Sequence, residues 1–278
     1  MKENNKIENE SNPSPSERGR GEVLNRFSSR VDNYIKYRPD YPAEVVTFLK
    51  HKGFLKEGSV IADIGSGTGI SAELFLKQGF SVIGVEPNKE MREAGERLLS
   101  GYKNFTSVNG TAENTGLESG SVDMIIAGQA FHWFDKEKCK EEFKRILKKE
   151  GVVVLMWNDR RTDTTQFLQA YEDFIKMFAT DYLQVNHKNI DEKIFNNFFA
   201  QAGLPNMQSA YQMESFLNYQ YFDLEGLKGR ILSSSYMPEP GHTDFNFMMS
   251  VLKKIFTRFA EDGKVIIEYD TKVYYGHI

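Results

Sequence analysis

The stretch 61–70, IADIGSGTGI, sets Gly65, Gly67 and Gly69 directly after an apolar run, with Asp63 two positions ahead of the first glycine. Without a Cβ the backbone can turn tightly and a ligand can come close to the main chain. In open α/β sheets such strand-to-helix turns lie at the edge where ligands bind. The spacing departs from the dinucleotide fingerprint G-x-G-x-x-G: Gly65 and Gly67 fit, but Ile70 stands where the third glycine belongs. Asp63 would also repel a pyrophosphate, and suits a ligand with a cationic amino group. The plainer alternative is a tight structural turn, and two further acids weigh against it. Glu86 ends the next apolar run, where a carboxylate can accept hydrogen bonds from both hydroxyls of a ribose. Glu113 follows Gly110, Thr111 and Ala112 after the third run, where a carboxylate can receive an adenine amino group. Met91 can pack on an adenine face or serve the core alone.

These residues need a scaffold that brings successive strand ends to one edge, and the sequence supplies one. SVIADIG, SVIGVEP, FTSVNGTAE, SVDMIIAG and VVVLMWND read as strands. GISAELFLKQG, NKEMREAGERLLSG and DKEKCKEEFKRILKKEG read as helices between them, the second with Asn88 as N-cap. This βαβα alternation with apolar strands predicts a doubly wound α/β fold on a mostly parallel sheet. SAYQMESFLNYQY and KVIIEYDTKVYYGHI add two strands, for seven. Residues of about 160–204 and 222–260 read as helical cap segments, the latter with an apolar stripe at 245, 248, 252, 255, 256 and 259. Residues 1–20 are polar and predict a disordered tail, leaving 21–278 as one domain.

An ammonium, a ribose and an adenine without a phosphate describe S-adenosylmethionine. The ordered set FSSRVDNYIKYRPDYP, IADIGSGTGI, GVEPNKEM, NGTAENTGLESGSVDMIIAGQAFHWFD and RILKKEGVVVLMWNDR resembles the class I S-adenosylmethionine-dependent methyltransferases, most of all the small-molecule group that includes trans-aconitate methyltransferases. The resemblance covers roughly residues 26–160. It implies a cofactor site of Asp63, Gly65, Ser66, Gly67, Glu86, Pro87, Met91, Ala112, Glu113 and Gln129, with Tyr34 and Arg38 folded over it and Arg38 on the methionine carboxylate. It sets AGQAFHWF, 127–134, beside the methyl group. That segment lacks the Asn/Asp-Pro-Pro-aromatic sequence used on nucleobase amines and glutamine amides. His132 is the one residue there able to move a proton near neutral pH, or it orients the loop. Trp133 and Phe134 can wall the pocket. Asn158, Arg160 and Arg161 stand where an anionic substrate can be recognised, unless the arginines are solvated or pair with acids of the cap.

Composition narrows the classes. The formal net charge is −4, so no overall positive field draws the chain to nucleic acid or an anionic membrane. No apolar run is long enough for a bilayer. The single cysteine, Cys139, lies on an apolar helix face and reads as a buried thiol; with no signal peptide, this predicts a cytoplasmic protein. The five histidines are far apart, so no metal site is expected. The expected function is O-methylation of a carboxylate or hydroxyl on a small molecule. The alternatives are a methyltransferase for RNA or protein, and a non-catalytic module that binds the cofactor. The sequence leaves the oligomeric state open.

Overall fold

The computed structural model describes residues 31–180, 192–200 and 211–278. In chain order they form α1 (Val31–Tyr37), α2 (Glu44–His51), β1 (Val60–Ile64), α3 (Ile70–Leu76), β2 (Ser81–Val85), α4 (Lys89–Leu98), β3 (Phe105–Val108), β4 (Val122–Gly128), a 3-10 turn (Phe131–Trp133), α5 (Lys136–Ile146), β5 (Leu147–Arg160), α6 (Gln166–Phe178), α7 (Glu192–Phe199), β6 (Gln212–Phe222), α8 (Leu224–Leu232), α9 (Phe245–Phe259) and β7 (Val265–Gly276). The tail over 1–20 lies outside the described residues, as do 181–191 and 201–204 of the first cap segment.

The seven-stranded sheet has the order β3-β2-β1-β4-β5-β7-β6. β1 to β5 run parallel, and β7 runs antiparallel between β5 and β6. The strand order reverses at β1, which pairs with β2 on one side and β4 on the other. That reversal opens a crevice beyond the carboxyl ends of these strands, the usual ligand edge of such sheets. Alternating side chains feed two cores. Ile61, Met124, Val154 and Met156 pack with α2 and α3 on one face. Ile64, Ile125, Val153, Leu155 and Trp157 pack with Cys139, Phe143 and Ile146 of α5 and Phe195, Phe198 and Phe199 of α7 on the other. Cys139 is buried there, and burial pushes its thiol up to about 12, so it stays protonated at neutral pH. A third core joins Leu168, Tyr171, Phe174 and Ile175 of α6 to α8, α9, Phe222, Ile267 and Tyr269. The stripe read for the 245–259 helix delivers Met248 and Leu252 to it.

Two boundaries differ from the sequence reading. The helix read through Gly151 stops at Ile146, and β5 begins at Leu147, upstream of the expected VVVLMWND. Leu147 is buried and pairs with Val122 of β4, with a register shift before Met124, so sheet pairing overrides helix propensity in LKKEG. The helical reading of 162–204 is interrupted: α6 ends at Phe178, Ala179 is extended, and the Thr180 N–H donates to the Tyr236 carbonyl. Asn88 caps α4 as expected, its Oδ1 accepting from the Met91 N–H at 2.9 Å.

Candidate active site

The turn after β1 is built from backbone. Gly65, Gly67 and Gly69 have φ of +67°, +56° and +89°, a region that side chains with a Cβ rarely adopt. A Cβ on Gly65 would stand 2.7 Å from Ala130 Cβ, and one on Gly67 would stand 3.3 Å from Met91 Cε. The turn is pinned to β2 by the Gly65 and Ser66 N–H groups, both donating to the Val85 carbonyl. Glu86 leaves β2 and reaches back: Oε2 accepts from the Gly67 N–H at 2.9 Å and Oε1 from the Asn88 N–H at 2.8 Å. Burial raises its pKa, and the two N–H groups oppose that rise.

Asp63, at the penultimate position of β1, is fully buried. Its Oδ2 accepts from the Ser71 hydroxyl at 2.7 Å. Its Oδ1 is sealed from solvent and has no hydrogen-bond partner in the described structure. Burial, opposed by the Ser71 hydroxyl and the Ala72 N–H and reinforced by the charge of Glu86, lifts the carboxyl to about 7. A buried acceptor without a donor costs about 1–3 kcal/mol, more when charged, so this group is set for a donor that the chain does not provide. Thr68 Oγ1, in the same turn, is likewise buried without a partner.

Other predicted residues gather at this edge. Pro87 follows Glu86, and its carbonyl, with that of Glu86, faces Arg92 Nη1. Met91 is buried against Gly67. Ala112 is buried between Thr111 and Glu113, inside a small turn closed by the Thr111–Asn114 bridge. Glu113 Oε1 accepts from the Asp135 N–H at 2.8 Å, tying that turn to the start of α5. Gln129, just past β4, holds a left-handed φ of +57°, costly for a residue with a Cβ. Its N–H donates to the Met156 carbonyl, and Nε2 lies 3.4 Å from the Asn158 carbonyl. The 3-10 turn follows, with His132 half-buried, its ring 4.5 Å from that of Trp133, which is exposed. Lys136 steadies this turn, its ammonium on the Phe134 carbonyl at 2.6 Å and above the Phe131 ring.

The N-terminal segment crosses from cap to cradle. Tyr34 falls on α1, but its side chain lies outside the described residues. Arg38 Nη2 donates to the Ser233 carbonyl at 2.9 Å. Three residues on, Tyr41 is buried with its hydroxyl at Gly128, where a Cβ would meet Tyr41 Oη at 2.7 Å and Ser71 at 3.1 Å. Tyr41, Ser71 and Gly128 are residues that sequence reasoning missed. Ser71 carried a faint signal, in the first turn of the helix after the glycines.

The three residues expected to meet an anionic substrate have protein partners instead. Asn158 is buried; its amide donates to the Asp40 carbonyl at 3.0 Å, and its Oδ1 receives Thr271 and Asn218. Arg160 pairs with Glu172 of α6. Arg161 pairs with Asp270 at 2.7 Å and Glu268 at 3.7 Å. Of the two readings of the arginines, the structure has the pairing with acids. Among the described residues no group of three His, Cys, Asp or Glu side chains could hold a metal ion, and no helix is long and apolar enough to cross a membrane.

Comparison with known proteins fits this geometry. Residues 62–155, from β1 nearly to the end of β5, match the family model described as a methyltransferase domain. An uncharacterized methyltransferase of Schizosaccharomyces pombe is 33% identical over 135 residues, covering 48% of this chain and 53% of that protein. An uncharacterized methyltransferase of Mycobacterium tuberculosis is 32% identical over 134 residues, covering 48% and 52%. The chain thus spans about half the length of these curated relatives. A solved candidate type II methyltransferase from Anaeromyxobacter dehalogenans superposes with a TM-score of 0.62 at 16% identity, covering 87% of this chain and 98% of that one. At that identity the likeness is one of fold.

Proposed function

We propose that this chain, whose residues 62–155 match a methyltransferase domain, is a class I S-adenosylmethionine-dependent methyltransferase that methylates an oxygen, carboxylate or hydroxyl, on a small molecule. One observation carries the reading: the buried, unsatisfied Asp63 Oδ1 beside three glycines in the left-handed region. A cationic amino group would satisfy that oxygen and hold both Asp63 and Glu86 ionised, whereas a pyrophosphate would add repulsion. The residues therefore fit S-adenosylmethionine.

In this reading Asp63 holds the cofactor's ammonium and Glu86 its ribose hydroxyls. Met91 and Ala112 line the adenine, with Glu113 at its amino group. Gly65, Ser66, Gly67, Pro87 and Gln129 shape the cradle, and the resemblance gives Tyr34 and Arg38 as further cofactor residues. When bound, the cofactor supplies a methyl group on a sulfonium, already an activated electrophile. What is left to the chain is to align the acceptor and exclude water. The 3-10 turn, fixed by Lys136 and the packing of Phe131, is the wall available for that, with Trp133 on its exposed side. A carboxylate acceptor arrives ionised and needs no base. A hydroxyl acceptor needs one, and His132 takes that role.

Calorimetry with S-adenosylhomocysteine and with NAD tests the cofactor: the first should bind and the second should not, and the reverse outcome sinks the reading. With the acceptor in hand, His132→Ala separates the two chemistries. A loss of about 10²–10⁴ in kcat marks a hydroxyl acceptor, and a near-normal rate marks a carboxylate.

A further inference from the structure

The apolar surface left to solvent is not spread evenly. Of the nine large apolar side chains exposed among the described residues, five stand on one face of the β6–β7 hairpin: Met213, Leu217, Tyr219, Tyr221 and Ile266. The first four fall at odd positions of β6 and so point to the same side of the sheet. Ile266 joins them from β7, where it pairs with Tyr221. From Met213 to Tyr221 the stripe is about 27 Å long at strand rise. The opposite face of the same hairpin is already covered: Phe222, Val265, Ile267 and Tyr269 pack there in the core shared with α6, α8 and α9.

The open edge of β6 is a poor place for a partner. Glu268 turns its carbonyl to β5, where it accepts from the Arg161 N–H. Its neighbour in β6, Tyr219, therefore carries its own main-chain groups on the open edge. There the Tyr219 N–H donates to Asn218 Oδ1 at 2.8 Å, and the Ser215 N–H donates to Glu214 Oε1 at 3.3 Å. An added strand would have to displace both side chains. The charges beside the stripe are matched within the chain as well. Lys272 meets Asp159 at 2.7 Å, and Arg161 meets Asp270 at 2.7 Å. Neither cation is left over to hold a phosphate backbone or an anionic lipid.

What the hairpin offers is a neutral apolar patch, rich in the tyrosine that interfaces favour. Its five side chains expose on the order of 500 Å², so two copies stacked on this face would bury about 1,000 Å², the size at which a specific interface begins. A two-fold contact is self-complementary, because each stripe meets the same stripe. We propose that this face of the β6–β7 hairpin is the contact between two copies of the chain, related by a two-fold axis with their sheets stacked face to face. The two stripes then lie about 10 Å apart, as in a β-sandwich.

Sedimentation velocity on the full chain over about 1–100 μM tests this contact. The wild type should sediment as a dimer at the upper end and dissociate on dilution. Leu217→Lys and Tyr221→Lys each bring like charges together across the axis, and each should weaken association at least about tenfold. Both side chains are exposed, so the melting of dilute protein should stay the same. Phe247→Lys, at an exposed position of α9 outside the stripe, should leave the dimer intact. If one stripe variant does not fold, the other carries the test. A wild type that stays monomeric throughout overturns the proposal, and so does a dimer indifferent to both stripe substitutions. A monomer that instead co-sediments with phosphatidylcholine vesicles gives the face to a lipid surface and overturns the dimer.

Discussion

The cradle after β1 and the cap above β5 solve the same problem, holding charge out of water, with different materials. In the cradle the partners are main-chain N–H groups and glycine turns: Glu86 is held by the N–H groups of Gly67 and Asn88, in the turns that follow β1 and β2. In the cap the partners are mostly side chains, joined by one main-chain carbonyl, that of Asp40. Arg160 meets Glu172, Arg161 meets Asp270, and Asn158 joins Asp40, Asn218 and Thr271. A backbone-built site tolerates drift in surrounding side chains, so it can be shared by distant relatives. A site built from side-chain pairs changes whenever one partner changes. The family match ends at residue 155, just where the second kind of construction begins.

Substitutions can sharpen this contrast. The largest expected effect is in the cap. Arg160→Ala leaves Glu172 buried without its main partner and should cost about 3–5 kcal/mol of stability, seen in chemical denaturation, while calorimetry shows cofactor affinity intact in the folded fraction. The mirror case is Glu86→Ala, which should cost about 1.5–3 kcal/mol of cofactor binding, the range for hydrogen bonds to a charged group, and less stability than Arg160→Ala even though it removes the acceptor of the Gly67 and Asn88 N–H groups. If Glu86→Ala melts the protein and spares binding, cradle and cap are not divided as described.

A third measurement uses pH. The Asp63 carboxyl titrates near 7 when folded and near 3.8 in the unfolded chain. The folded state therefore holds a proton that the unfolded state has already lost, so stability without ligand should fall as pH rises from about 4 to 7 and then level off. Cofactor binding should show the opposite trend, because the ammonium favours the ionised acid. Affinity should rise up to about tenfold per pH unit towards 7, with a proton released on binding. Asp63→Asn should flatten that slope, apart from what Glu86 contributes; an unchanged slope would remove Asp63 from the ammonium site. The smallest effect belongs to Arg161→Ala. Its acids are partly exposed, so solvent screens the pairs, and denaturation should move by less than about 1 kcal/mol.

The same division explains what could be read from the sequence. The five parallel strands are apolar runs bounded by glycine, and Asn88 sits where a helix start requires an acceptor, so the sheet and the α4 cap are local signals. The boundary between α5 and β5 was not local: Leu147 joins the sheet because Val122 waits for it across β4. Asp63, Glu86 and the glycines were legible because each lies at the end of its own strand. Tyr41 at Gly128, and Arg230 among Tyr269, Ser233 and Ser234, were not. Each depends on a contact between segments more than thirty positions apart, or on a hydroxyl whose role is set only once three elements meet.

The insertion of β7 between β5 and β6 has a consequence for how the molecule is made. A ribosome delivers β6 before the strand that both β6 and β5 must pair with. Until β7 emerges, β6 is an eleven-residue strand with free main-chain groups along both edges, and Leu217, Tyr219 and Tyr221 stay exposed on one face even in the finished fold. That is the composition of a segment prone to pair with a neighbouring chain. The hazard is therefore greatest in the delay before β7 arrives, and the finished sheet keeps one free edge of β6. Lesions in Val265–Gly276 would be expected to surface first as poor yield and aggregation, before any assay could register a loss of activity.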